Sequence, residues 1–299
     1  MNYYEEIKQE LINNETYRKV KDYSKNRSDL MTCYNVGKLL IEAQGGESRS
    51  KYGEHLIKEY SIKLMKEIGE KYNTTLLKRM RQFYLMIQKG ATMSHQLTQS
   101  HYFELLSIKD INEMNYYINL TEQQNLTIRG LRDRIKSKEY ERLDDKTKMK
   151  LINKEDITLP DIIKNPIIIG NPNNINVNKE KVLKLLILEN IDNFLKELGE
   201  GFSYIGNEYP IKIGNSYNYI DILLYNIKFN SYVVVELKIT ELKKEYIGQI
   251  QVYMNYIDEN IKTINQDKTI GIIICRENNE FIIKYASDDR ILSREYILN

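Results

Sequence analysis

Apolar residues recur at helical spacing through the first half of the chain. They return every three or four positions over Lys51–Leu64 and again over Thr75–Ile87, which is typical of helices that bury one face. A third helix is predicted over Thr121–Ile135, with Thr121 as its N-cap. The first half is therefore predicted to be all-α.

The pattern changes to alternating and continuous apolar runs after about residue 178. A helix is predicted over Lys179–Leu198, ended by Gly199, and a second one over Glu241–Ile257. Strands are predicted over Phe202–Tyr209, Tyr217–Tyr225, Ser231–Ile239, Thr269–Cys275 and Glu280–Ala286. The order α-β-β-β-α-β-β predicts an α/β domain on a mixed central sheet, and hence an α+β chain overall.

Three of the four prolines and the polar tract NPNNINVNKE fall between residues 153 and 178. Such a stretch is typical of a linker. We therefore predict a helical domain over residues 1–145, a linker over 146–178 and an α/β domain over 179–299.

Charge and cysteine content narrow the classes of function. Residues 1–150 hold 27 basic against 21 acidic residues, and residues 151–299 hold 17 against 21. A basic half can bind a polyanion, and an acidic half can bind a divalent cation. Random variation of surface charge explains the same counts. No apolar run is long enough to cross a membrane. Two isolated cysteines, Cys33 and Cys275, exclude a zinc site or a disulfide framework and favour a cytoplasmic protein.

The segment YIDILLYNIKFNSYVVVELKI carries the candidate chemistry. Glu236 and Lys238 are two positions apart on one predicted strand and so share a face, and a hairpin can bring Asp221 beside them. Two carboxylates beside an ammonium suit Mg²⁺ or Mn²⁺. Charges within an apolar strand are costly unless they are paired or metal-bound. The alternative is that this segment is an edge strand and that Glu236 and Lys238 lie on its solvent-exposed face.

Three residues on the predicted helices extend this cluster. Glu189 lies on a partly apolar helix before the first strand and would supply a further metal or water ligand; alternatively, it is an ordinary exposed residue. Gln249 and Tyr253 are four positions apart on the second helix and share a face. They would contact substrate phosphate or orient Lys238, or simply form a packed helix flank.

These motifs resemble the PD-(D/E)XK nuclease domain of the YhcG-like proteins, whose second name is domain of unknown function 1016. The resemblance spans about residues 182–296 and includes FLKELGEGFSYIGNEYPI, VVVELKI, EYIGQIQVYMNYID and TIGIIIC. It implies a restriction-endonuclease-like fold, Asp221, Glu236 and Lys238 as the catalytic set, Glu189 as the helix acid and Gln249 as an auxiliary residue. The P of the motif name PD-(D/E)XK denotes a proline before the first aspartate, and this chain has Ile220 at that position.

Residues 30–136 resemble the helical N-terminal domain of the same family, on YNVGKLLIEAQ, LLKRMRQFYLMI, HQLTQSHYFELL and LTIRGLRDRI. Gln99 and Leu126 stand where that family usually has tryptophans. Two basic helical groups in this half are candidates for binding a phosphate backbone, or are solvated helix faces. The members proposed to contact substrate are Arg79, Arg81, Arg129 and Arg132.

The expected function is metal-dependent hydrolysis of DNA phosphodiester bonds, in restriction, recombination, repair or defence against mobile elements. Cutting both strands needs two active centres, which favours a homodimer, and a restriction or defence system would supply a further partner. The competing hypothesis is a nuclease-fold module without useful turnover that binds DNA or a protein.

Overall fold

The structure is a computed structural model that describes residues 2–19, 25–46, 50–285 and 288–299. The chain divides into two compact units, residues 1–140 and residues 141–299. The first unit is helical and the second is built on a mixed sheet, so the predicted fold class is confirmed.

Helices alone form the regular structure in the described part of the first unit. They are α1 (Tyr3–Lys19), α2 (Lys25–Ala43), α3 (Ser50–Glu67), α4 (Thr74–Gln88), α5 (Gln99–Leu105), α6 (Ile111–Gln124) and α7 (Ile128–Lys136). The predicted helix over Thr121–Ile135 is wrong, because Asn125 takes a left-handed conformation that ends α6. Thr127, whose side chain accepts from the Gly130 amide, is the N-cap of α7.

Helices α2 and α4 approach closely at Gly37. A Cβ atom added there would lie 2.3 Å from the Met80 carbonyl oxygen and 2.7 Å from the Tyr84 Cβ. We expect Gly37→Ala to force the helices apart and to lower the free energy of unfolding by about 2 kcal/mol or more. Urea unfolding followed by circular dichroism measures this. In Gly130→Ala, where the added Cβ meets nothing closer than 3.4 Å, stability is expected to stay level or rise.

The second unit alternates helices with strands. Its helices are α8 (Asp145–Asn153), α9 (Leu159–Ile162), α10 (Glu180–Glu189), α11 (Ile191–Leu198), α12 (Lys244–Asn260) and α13 (Glu280–Lys284). Its strands are β1 (Ile167–Ile169), β2 (Phe202–Ile213), β3 (Ser216–Asn226), β4 (Ser231–Leu237), β5 (Asp267–Cys275) and β6 (Ile291–Leu298).

The described strands form one sheet in the order β1-β6-β5-β4-β3-β2. Strands β2, β3 and β4 pair antiparallel in sequence, and β4, β5, β6 and β1 pair parallel. The central strand β4 is buried almost throughout, which explains why VVVEL is a nearly continuous apolar run. Glu236 therefore lies in the middle of a sheet that is covered on both faces.

Each face of the sheet has its own apolar core. One contains Val233, Val235 and Leu237 of β4, packed against residues of α9, α10 and α11. The other contains Val234 of β4, packed against the buried face of α12. Alternate residues of β4 thus point to opposite helical layers, and Glu236 follows Val234 toward the side of α12.

In the second unit, the predicted linker and the predicted last strand differ from the described structure. The segment 146–178, expected as a linker, contributes α8, α9 and β1 to the second unit; Ile167 and Ile169 are buried, and Glu197 accepts from the Ile168 amide. The strand predicted over Glu280–Ala286 is wrong: α13 begins there, with the Asn279 side chain accepting from the Ile282 amide, and Ala286 lies outside the described residues. The closing strand is β6.

Candidate active site

Asp221, Glu236 and Lys238 come together where β3 and β4 leave their pairing. The register of the two strands pairs Ile222 with Val235. Continued by one residue, it places Asp221 of β3 opposite Glu236 of β4. Asp221 Oδ2 accepts from the backbone amide of Leu237 at 3.0 Å, and Lys238 Nζ lies 3.4 Å from Glu236 Oε2. The structure thus brings together all three residues singled out from the sequence.

Glu236 is a buried carboxylate with an incomplete set of partners. Its side chain is 3% exposed, and Oε2 accepts from Lys238 and, at 3.3 Å, from the Gln249 amide. Oε1 is buried and has no hydrogen-bond partner. Burial, reinforced by the negative charge of Asp221, raises the pKa of Glu236 to about 7, although Lys238 acts in the opposite direction. This oxygen is suited to accept a cation or a proton.

Tyrosine side chains contact both Lys238 and Gln249. Lys238 Nζ lies 5.0 Å from the centre of the Tyr246 ring, and the Gln249 amide donates to the Tyr253 hydroxyl at 3.1 Å. Gln249 and Tyr253 therefore share a helix face, as expected. Gln249 contacts Glu236 rather than orienting Lys238.

The acid of α10 that contacts Lys238 is Glu180, whereas the sequence had pointed to Glu189. Glu180 Oε2 lies 3.8 Å from Lys238 Nζ, at the first residue of α10. Glu189 is exposed at the last residue of the same helix. Nine positions of α-helix turn by about two and a half revolutions, so Glu189 faces away from the side that carries Glu180.

Lys184 and Glu208 belong to the site and were not predicted from the sequence. Lys184 Nζ lies 2.8 Å from Asp221 Oδ1 and 2.6 Å from Glu208 Oε1. Burial lowers the pKa of Lys184, but its bonds to the two carboxylates outweigh burial, and the net shift is upward. The i, i+4 spacing of Glu180 and Lys184 was an available signal. Glu208 gave none, because its position opposite Asp221 follows a register shift between Tyr204 and Gly206 in β2.

The donor set suits a hard divalent cation that keeps part of its water shell. Asp221 and Glu236 supply carboxylate oxygens, and Oε1 of Glu236 is the buried oxygen without a protein partner. No group of three or more His, Cys, Asp or Glu side chains that could hold a metal is found in the described ranges. Two carboxylates completed by water and phosphate oxygens match Mg²⁺ better than Zn²⁺.

The basic residues predicted to contact substrate lie in the first unit. Arg132 makes two hydrogen bonds to Glu104, at 2.7 and 3.1 Å, and Arg81 donates to Gln44 at 3.1 Å. The Arg79 guanidinium lies 5.4 Å from the centre of the Phe103 ring, and Arg129 is exposed. Much of this positive charge is engaged within the unit, and its contact with a phosphate backbone stays a prediction.

Among the described residues, no helix combines the length and the apolarity that crossing a membrane requires. Two solved structures align with part of the chain. One is a repair endonuclease from Pyrococcus abyssi (22% identity, 40% of this chain, 48% of that chain, TM-score 0.29), and the other is an EndoMS–dsDNA complex (19%, 42%, 47%, TM-score 0.31). Both alignments span less than half of the neighbour.

Comparison of the sequence with protein families covers both units. Residues 6–142 match the DUF1016 N-terminal domain, and residues 161–297 match the YhcG PDDEXK nuclease domain. The YhcG protein of Escherichia coli strain K12 is 25% identical over 307 residues, which cover 89% of this chain and 82% of that protein. Residues 6–142 therefore belong to the DUF1016 N-terminal domain family, and residues 161–297 belong to the YhcG PDDEXK nuclease domain family.

Proposed function

We propose that the chain is a Mg²⁺- or Mn²⁺-dependent nuclease that hydrolyses DNA phosphodiester bonds at Asp221, Glu236 and Lys238. The observation that carries this proposal is the partnerless buried oxygen of Glu236 beside the carboxylate of Asp221. A fold gains nothing from such an oxygen, since a buried polar atom without a partner costs about 1–3 kcal/mol. A site for a cation explains why it is kept.

Each residue of the site has a proposed role that follows from its position. Asp221 and Glu236 would hold the divalent ion, which when bound lowers the pKa of a water ligand and neutralises charge on the scissile phosphate. Lys238 donates hydrogen bonds toward the reacting phosphate and stabilises the charge that develops there. Gln249 keeps the carboxylate of Glu236 oriented, and Glu180 keeps the ammonium of Lys238 within the site.

The substrate is proposed to be DNA, with the helical unit selecting or holding it through its basic helices. The solvent-exposed Arg129 is the first candidate for such a contact. A homodimer would place two centres on one duplex. The biological role we propose is DNA restriction, recombination, repair or defence against mobile elements.

A cleavage panel tests this function. The full chain is incubated with linear duplex, supercoiled, single-stranded and branched DNA, each with Mg²⁺, with Mn²⁺ and with EDTA. We expect cleavage of at least one DNA that depends on the metal. Retention of DNA in a gel-shift assay without cleavage in either metal would instead favour a binding module that keeps the nuclease fold.

Glu180 and Glu189 make a matched pair on one helix. Because Glu180 contacts Lys238, we expect Glu180→Gln to reduce the rate of cleavage by about tenfold, the effect of one charge-assisted contact. Glu189→Gln is expected to stay within twofold of the wild type. Single-turnover rates on the best substrate of the panel measure both, and a larger loss in Glu189→Gln than in Glu180→Gln would contradict the placement.

A further inference from the structure

Lys184 places a second ammonium inside the proposed metal centre. Its Nζ contacts Oδ1 of Asp221 at 2.8 Å, and its side chain is only 13% exposed. The other oxygen of Asp221, Oδ2, accepts from the Leu237 amide. Both oxygens of a proposed metal ligand are therefore engaged by the protein itself.

The Lys184 ammonium disfavours the binding of a cation at the Asp221 carboxylate. Like charges a few ångströms apart in a poorly solvated site repel strongly, and a divalent ion doubles the effect. The repulsion is smallest if the ammonium moves away from Oδ1 as the ion arrives. Metal binding at Asp221 then requires a second place for the Lys184 ammonium.

Glu208 supplies that place. Its Oε1 lies 2.6 Å from Lys184 Nζ, and its side chain is 56% exposed, so it stays free to follow the ammonium outward. Glu208 also has a φ of 47°, a left-handed conformation that is uncommon for a residue with a side chain and tends to mark functional sites.

The charges of the cluster agree with such an exchange. The contacts link four carboxylates, those of Glu180, Glu208, Asp221 and Glu236, to the ammonium groups of Lys184 and Lys238. With every group ionised the cluster carries two negative charges in excess. One divalent ion neutralises it without loss of either lysine, provided that Lys184 stays within reach on Glu208.

We propose that Lys184 is a built-in competitor for the metal at Asp221, and that Glu208 sets the affinity of the site by drawing the ammonium away. This inference rests on the proposed function, because it takes Asp221 as a metal ligand. It assigns Lys184 and Glu208 to the control of metal affinity, a role separate from hydrolysis.

Binding of Mn²⁺ to the full chain, followed by electron paramagnetic resonance, tests the exchange. We expect Lys184→Met to bind Mn²⁺ about tenfold more tightly than the wild type, since a repelling charge is gone. The same variant without metal should unfold at a lower temperature, because the carboxylates lose their counter-ion. Glu208→Gln should bind at least about threefold more weakly, since the ammonium is left with Asp221 alone.

Two comparisons make the test specific. In the Lys184→Met background, Glu208→Gln should change the affinity by less than twofold, because no ammonium remains to be drawn away. Lys244→Met removes an exposed lysine at the first residue of α12 and should leave both quantities as in the wild type.

Weaker or unchanged Mn²⁺ binding in Lys184→Met overturns the inference and leaves the proposed function standing. If Asp221→Asn binds Mn²⁺ as tightly as the wild type, Asp221 is not a ligand and both proposals fall.

Discussion

Replacing Lys238 by methionine is expected to slow DNA cleavage by about 10²- to 10³-fold, the usual loss when one donor to a developing charge is removed. Methionine has a similar length and suits a side chain that is 9% exposed, so the fold should survive. The ammonium contacts Glu236 and Glu180 and lies over the Tyr246 ring, which holds it within the site. Single-turnover kinetics with saturating Mg²⁺ measure the loss.

The matched control is Lys244→Met, which removes an exposed lysine at the first residue of α12. Its rate should stay within twofold of the wild type. Mn²⁺ binding separates the role of Lys238 from that of a ligand, because Lys238→Met should bind the ion at least as tightly as the wild type. Cleavage within tenfold of the wild type by folded Lys238→Met would exclude this lysine from the reaction.

The second large effect is a gain of stability in Glu236→Gln without metal. A raised pKa means that the folded chain holds the proton of Glu236 more tightly than the unfolded chain does. Stability is then lost as pH rises from the unfolded value near 4.5 to the folded value near 7, and the loss is complete above that. This shift corresponds to about 3 kcal/mol, which the neutral amide avoids.

Urea unfolding in EDTA at pH 5 and pH 8 measures this difference. Glu236→Gln should exceed the wild type clearly at pH 8 and much less at pH 5, while its cleavage activity is lost. Glu259→Gln, an exposed acid on α12, should follow the wild type at both values. An equal difference at the two pH values would mean that Glu236 carries no charge penalty.

The residues of β3 and β4 could be predicted because strand geometry is local. A period of two places Glu236 and Lys238 on one face, and the hairpin between β3 and β4 brings Asp221 back to them. The shared face of Gln249 and Tyr253 on α12 could be predicted in the same way, since the two residues are one helical turn apart. For these residues, short-range spacing was enough to predict proximity.

The remaining parts of the site depend on long-range geometry. Glu189 was singled out because its neighbours are apolar, but apolar neighbours predict burial of the helix and not the direction of one side chain. The predicted helix also ran on to Leu198, whereas Asn190, with φ −128°, separates α10 from α11. Glu208 depends on a register shift in β2, which a regular alternating pattern does not predict.

A titration of the full chain with Mn²⁺, followed by electron paramagnetic resonance, tests most directly whether Asp221 and Glu236 form a metal centre. We expect a site in the wild type that is weakened at least about a hundredfold in Asp221→Asn and in Glu236→Gln, since each variant removes a charged ligand. Glu189→Gln should bind like the wild type. Equal Mn²⁺ affinity in the wild type and in both ligand variants would contradict the account.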